Sequence, residues 1–89
     1  MNYEWDPIKA ELNFRKHGVS FEEALAVFDD PASLDKYDDA HSENEPRFNI
    51  IGMTEGGIVF VVYTDREPDV IRIISARKAT RYEEKEYFG

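Results

Sequence analysis

The chain has 89 residues, no cysteine, 19 acidic and 11 basic side chains, and a net charge of −8. That is one domain's worth of chain, with no disulfide framework, no thiolate metal site and no thiol nucleophile. The acidic total argues against tight, indiscriminate binding to nucleic acid.

The charge is uneven. Residues 1–56 carry 13 acidic and 5 basic side chains, which accounts for the whole −8, and residues 57–89 carry six of each. Seven carboxylates and one lysine lie between Asp29 and Glu45, whereas Val70 to Tyr82 holds Arg72, Arg77, Lys78 and Arg81 and no anion. An acidic run is ordinarily a solvated surface. Here it would suit a basic partner, and the cationic stretch would suit a phosphate backbone.

Punctuation places the first helix. Asp6 is an N-cap, Pro7 takes the favoured first helical position and Gly18 is the stop. Ile8 and Leu12 share one face of it, and Lys9, Asn13 and Lys16 share another. A second helix opens on a capping box of Ser20 and Glu23. Phe21, Ala24, Leu25 and Phe28 then form an apolar stripe that ends at Asp30-Pro31. Trp5, Phe14, Phe21 and Phe28 are expected in the core.

Strands follow. A short one covers Ser33 to Tyr37, and Asp38 to Pro46 reads as a polar loop. Arg47 to Met53 is a strand, Glu55-Gly56-Gly57 a tight turn, and Ile58 to Thr64 the central strand. After a turn over Asp65 to Asp69, Val70 to Ala76 alternates, with Ile71 and Ile73 on one face and Arg72 and Ile74 on the other. A second capping box, Thr80 with Glu83, opens a last helix to about Phe88. The sequence thus predicts a single α+β domain over residues 1–89: two N-terminal helices, an antiparallel four-stranded sheet and a C-terminal helix. Val59, Val61, Ile71 and Ile73 are expected to be buried.

The common catalytic motifs are missing. There is no phosphate-binding glycine loop, dinucleotide fingerprint or nucleophile elbow. The acidic loop lacks the ordered spacing and glycine of a calcium site, so no metal and no cofactor are expected. The polar groups that remain fit one undemanding reaction. Cleaving RNA without a metal needs a base for the 2′-hydroxyl, cations for the phosphorane and an acid for the leaving 5′-oxygen. Arginine suits the middle task because its planar fork pairs with phosphate oxygens. His17 at a helix end is ordinarily a cap, which makes His41 in the loop the better candidate for proton transfer.

The wording of the sequence adds to this reading. Trp5-Asp6-Pro7-x-Lys9-x-x-x-Asn13-x-x-Lys16-His17-Gly18-Val19-Ser20-Phe21-Glu22-Glu23-Ala24 resembles the opening signature of the BrnT family. Asp30-Pro31, His41-Ser42-Glu43, Arg47 and Gly52 follow in the same order, and Arg72-Ile73-Ile74-Ser75-Ala76-Arg77-x-Ala79-x-x-x-Glu83 with Tyr87 resembles that family's ending.

The resemblance implies a RelE-like fold and a ribonuclease toxin of a type II toxin–antitoxin system that stops translation. It implies a BrnA-type antitoxin as partner, with a ribbon-helix-helix module through which the complex reaches operator DNA. The residues in matched positions are Lys9, Asn13, Lys16, His17, His41, Glu43, Arg47, Arg72 and Arg77. Arg72 and Arg77 are expected to stabilise charge, and His41 and Glu43 to move protons. Lys9, Lys16, His17, Arg47 and Arg81 are expected to hold RNA. The alternative is a catalytically silent module of the same fold that binds its antitoxin and tunes transcription. The N-terminus is unlike a signal peptide and no apolar run is long enough to span a bilayer, so a cytoplasmic protein is expected.

Overall fold

A computed structural model describes all of residues 1–89. The elements are β1 (Asn2–Glu4), α1 (Pro7–His17), α2 (Phe21–Ala24) running into a 3-10 helix (Leu25–Asp29), β2 (Leu34–Tyr37), a 3-10 turn (Asp39–His41), β3 (Phe48–Thr54), β4 (Gly57–Glu67), β5 (Val70–Lys78) and α3 (Arg81–Phe88). The sheet order is β1-β5-β4-β3-β2.

The sheet is therefore five-stranded and mixed, which corrects the four-stranded antiparallel expectation. β2 to β5 form the antiparallel meander, and β1 joins its free edge parallel to β5, with Asn2, Tyr3 and Glu4 opposite Val70, Ile71 and Arg72. Three residues are too few to show a period, and their partner lies 68 positions away. β4 also runs past Thr64 to Glu67, because its pairing with β5 continues through Asp65 and Glu67 with a register shift between them. The reversal is left to Pro68 and to Asp69, which takes a left-handed φ of 68°.

α1 begins and ends as its caps dictate. Asp6 accepts from the Ile8 and Lys9 amides, and Gly18 closes the helix at a φ of 73°. Its only buried residue is Asn13, whose side chain bonds the Val19 carbonyl at 3.1 Å and both the carbonyl (2.8 Å) and amide (3.2 Å) of Ala76. The amide group thus completes hydrogen bonds on β5 that another strand would otherwise make. Because a polar residue does the docking, Ile8, Leu12 and Phe14 stay exposed. For Phe14, that corrects the expected core position.

The second helix has one α-turn and then tightens. At three residues per turn the inward positions become Phe21, Ala24 and Val27, and all three are buried. Val27 was not on the expected stripe, whereas Leu25 and Phe28 are only partly buried against the core. The core joins these residues to Val19, Ile50, Val59, Val61, Tyr63, Ile71, Ile73 and Ala76. The four positions expected to be buried are all among them. Tyr3 and Trp5 pack on its rim, beside Phe28 and Phe21 respectively.

Gly52 is fixed by this packing. A Cβ there would lie 2.8 Å from the Val27 Cβ. Gly52→Ala is expected to lower stability by about 1–3 kcal/mol, as overpacking does. Thermal unfolding checks this, and adding Val27→Ala should return part of the loss.

α3 has no buried residue and is held by polar clamps. Arg77 forks onto Glu83 at 2.7 and 2.9 Å, Lys36 reaches Glu86 at 2.6 Å, and the Tyr87 hydroxyl donates to Asp30 at 2.6 Å. The Arg77 hydrogen bonds hold the Glu83 carboxyl below its ordinary value of 4.5. Bonds from Tyr87 and the Met53 amide hold Asp30 below 3.8. A depressed carboxylate contributes stability that is complete above its unfolded value and disappears as pH falls through the folded one. α3 is thus expected to loosen below about pH 4.5 before the sheet unfolds, and Glu83→Gln should remove the part that Glu83 contributes to this. Amide exchange along α3 across an acid titration measures it.

Candidate active site

The core-facing side of the sheet is closed by α1, α2 and the 3-10 helix that follows. The opposite face of β4 and β5 is open where Phe60, Val62, Ile74 and Ser75 form a floor. Asp38, His41, Arg47 and Arg77 surround that floor, enclosing a groove of about 360 Å³. This volume falls within the range of small-molecule sites.

A bulge builds the floor. Val62 pairs with Ser75 but Tyr63 pairs with Ile73, which leaves Ile74 as the extra residue on β5. Successive residues Ile74 and Ser75 then both line the groove, which simple alternation forbids. The same two residues floor a neighbouring groove of about 280 Å³ beneath α1, lined by Lys9, Leu12, Asn13, Lys16 and His17. On its other side the central groove shares His41 and Arg47 with a concavity of the loop that also holds Glu43 and Glu45.

The structure thus brings seven predicted residues onto one connected surface: Lys9, Lys16, His17, His41, Glu43, Arg47 and Arg77. Two lie elsewhere. Arg72 donates to Glu4 of β1 at 2.8 Å and does not line the groove. Arg81 lines a separate concavity with Glu84, Lys85 and Phe88 at the chain's C-terminal end. Asn13 stands on the surface by position, but its side chain is spent on the backbone of Val19 and β5.

Arg77 is held on three sides. Its guanidinium carbon sits 4.1 Å from the centre of the Phe60 ring, its Nη atoms fork onto Glu83, and Nη1 also donates to the Lys78 carbonyl. Glu83 performs two tasks, since it also caps the amide of Thr80. The sequence signals the capping box and not the arginine.

The loop is closed rather than free. The Asp38 amide donates to the Arg47 carbonyl at 2.8 Å. The Ser42 hydroxyl donates to the Asp38 carbonyl at 2.5 Å and accepts from the Arg47 amide at 3.0 Å. The buried Thr64 hydroxyl of β4 donates to the Pro46 carbonyl. Asp38 was not among the expected site residues, yet its carboxylate lies 2.9 Å from His41 Nδ1. An acid three residues before a histidine in a polar loop was the only signal for it.

The family model described as the ribonuclease toxin BrnT of type II toxin–antitoxin systems matches residues 5–83. Among solved structures, the chain is similar to the Brucella abortus ribonuclease toxin BrnT, with a TM-score of 0.69 and 25% identity over 91% of this chain and 99% of that one. No curated protein matches. The match spans the opening motif, the loop and the closing motif as far as Glu83, and the chain belongs to the BrnT family of ribonuclease toxins of type II toxin–antitoxin systems.

Proposed function

We propose that this chain is an endoribonuclease that works without a metal, inhibits translation by cutting RNA, and is silenced by a BrnA-type ribbon-helix-helix antitoxin. The observation that carries the reading is the convergence of His41, Arg47 and Arg77 on one groove, with Lys9, Lys16 and His17 beside it on a shared floor.

In the proposed reaction a base removes the 2′-hydroxyl proton and the 2′-oxygen attacks the adjacent phosphorus. The bond from phosphorus to the 5′-oxygen breaks, and the leaving oxygen takes up a proton. The products are a 2′,3′-cyclic phosphate and a 5′-hydroxyl. His41 and Glu43 divide the proton transfers. Arg47 and Arg77 face the phosphorane charge, and the α1 cations hold the flanking backbone. The acidic surface of residues 1–56 offers a basic antitoxin segment its complement. Operator DNA is reached through the antitoxin only.

The test is cleavage of a labelled RNA by the purified chain in excess chelator, followed by end-group analysis. A cyclic phosphate end supports the reading. Dependence on added divalent ion, or no cleavage, contradicts it. The bidentate hold of Glu83 on Arg77 favours the second reading, a silent module, because it occupies donors that phosphate would use. Absent cleavage together with retained antitoxin binding would establish that alternative.

A further inference from the structure

The proposed function leaves open which of His41 and Glu43 is the base. Resting on that reading, we infer that Asp38 is a positioning residue that makes His41 the base, and that Ser42 is the fastener that keeps the two in register. A neutral imidazole has one N–H and one lone pair, and the hydrogen bond made by one nitrogen decides the state of the other. Asp38 Oδ2 stands 2.9 Å from Nδ1, and the carboxylate is only 19% exposed against 70% for the imidazole. An ionised carboxylate only accepts, so Nδ1 carries the proton and Nε2 the lone pair. When Nε2 takes the 2′-hydroxyl proton, the imidazolium gains its charge beside an anion already in place. This leaves Glu43 or a water to protonate the 5′-oxygen.

The dyad alone would be weak on a mobile loop. Here it sits inside a closed one. Asp38 and Arg47 are joined backbone to backbone, and the Ser42 hydroxyl bridges the same two residues. Closing the loop at this point fixes His41 relative to Arg47, and Thr64 fixes the loop's end to β4. A site assembled this way needs little reorganisation when substrate arrives. Every polar contact of the Ser42 hydroxyl is to this loop's own backbone, at Asp38 and Arg47.

The test uses the whole chain and two readouts. Nitrogen-15 shifts of the neutral His41 ring report the tautomer without any need for activity. The wild type is expected to show protonated Nδ1, and Asp38→Ala to lose that preference while its amide spectrum elsewhere stays unchanged. In cleavage, Asp38→Ala is expected to lower kcat by about 10- to 10³-fold with little change in KM, less than the loss at a fully buried triad. Ser42→Ala should lower kcat by a smaller factor, and Ser42→Thr, which keeps the hydroxyl, should restore it. A wild-type His41 with its proton on Nε2 overturns the inference, and so does an Asp38→Ala enzyme with the parent's kcat. If the wild type cuts no RNA, the functional reading falls, and the tautomer still decides whether Asp38 positions His41.

Discussion

His41→Ala is expected to slow RNA cleavage by about 10²- to 10⁴-fold, the range that a positioned proton-transfer group contributes. The side chain is 70% exposed and its one polar contact is Asp38, so the fold should survive its removal. Circular dichroism should match the parent, and antitoxin binding should persist. Arg77→Ala should also slow cleavage, by about 10²-fold for a lost charge-stabilising donor. Unlike His41→Ala, it should also loosen α3, because Glu83 loses its partner. Arg72→Ala should cost much less activity, since Arg72 does not line the groove that holds His41, Arg47 and Arg77. Single-turnover rates on one RNA rank the three variants. A His41→Ala enzyme that cleaves as fast as the parent would place the proton transfer elsewhere.

The largest expected loss of stability is at Asn13. Its side chain is buried and satisfies three backbone groups, the carbonyls of Val19 and Ala76 and the amide of Ala76. Asn13→Ala leaves them without partners inside the fold. The expected cost is about 2–4 kcal/mol, from the penalty of about 1–3 kcal/mol for each orphaned buried group and some relaxation. Asn13→Asp should be no better, because a carboxylate cannot donate to two carbonyls. Denaturant unfolding measures this. Since α1 also carries Lys9, Lys16 and His17, activity should fall with stability at this position, and not in the manner of a lost catalyst.

Local chemistry made much of the fold legible. Helix starts were readable at Asp6, Ser20 and Thr80 because each cap is a short pattern with its own hydrogen bonds, and all three form as expected. The β-branched alternation of β4 and β5 correctly marked Val59, Val61, Ile71 and Ile73 as buried. Features set by distant partners were not legible. β1 is an edge strand only because β5 lies beside it, and its omission hid Glu4, the residue that holds Arg72. The 3-10 tightening after Ala24 shifted burial onto Val27. The bulge at Ile74 turned two successive side chains toward one groove.

The site follows the same division. Residue types and motif positions pointed to nine residues, of which Lys9, Lys16, His17, His41, Glu43, Arg47 and Arg77 share a surface and Arg72 and Arg81 do not. What fixes them was out of reach. A nine-residue loop has no pattern that announces the Ser42 bridge, and Asp38 looked like one carboxylate among seven. Arg77 showed its charge in the sequence. Its stacking on Phe60 and its fork with Glu83 came from strand register and the angle of α3.

The proposed function requires RNA to lie along the surface from α1 across Ile74 and Ser75 to the loop of His41 and Arg47. Chemical-shift mapping with a 2′-deoxy-substituted RNA oligonucleotide, which cannot be cut by 2′-oxygen attack, tests it most directly. The perturbed amides are expected to cluster at Lys9 to His17, His41 to Arg47, Phe60 to Val62 and Ile74 to Arg77. Perturbations confined to the C-terminal concavity of Arg81 and Phe88, or to the exposed apolar side of α1 at Ile8 and Phe14, would contradict it.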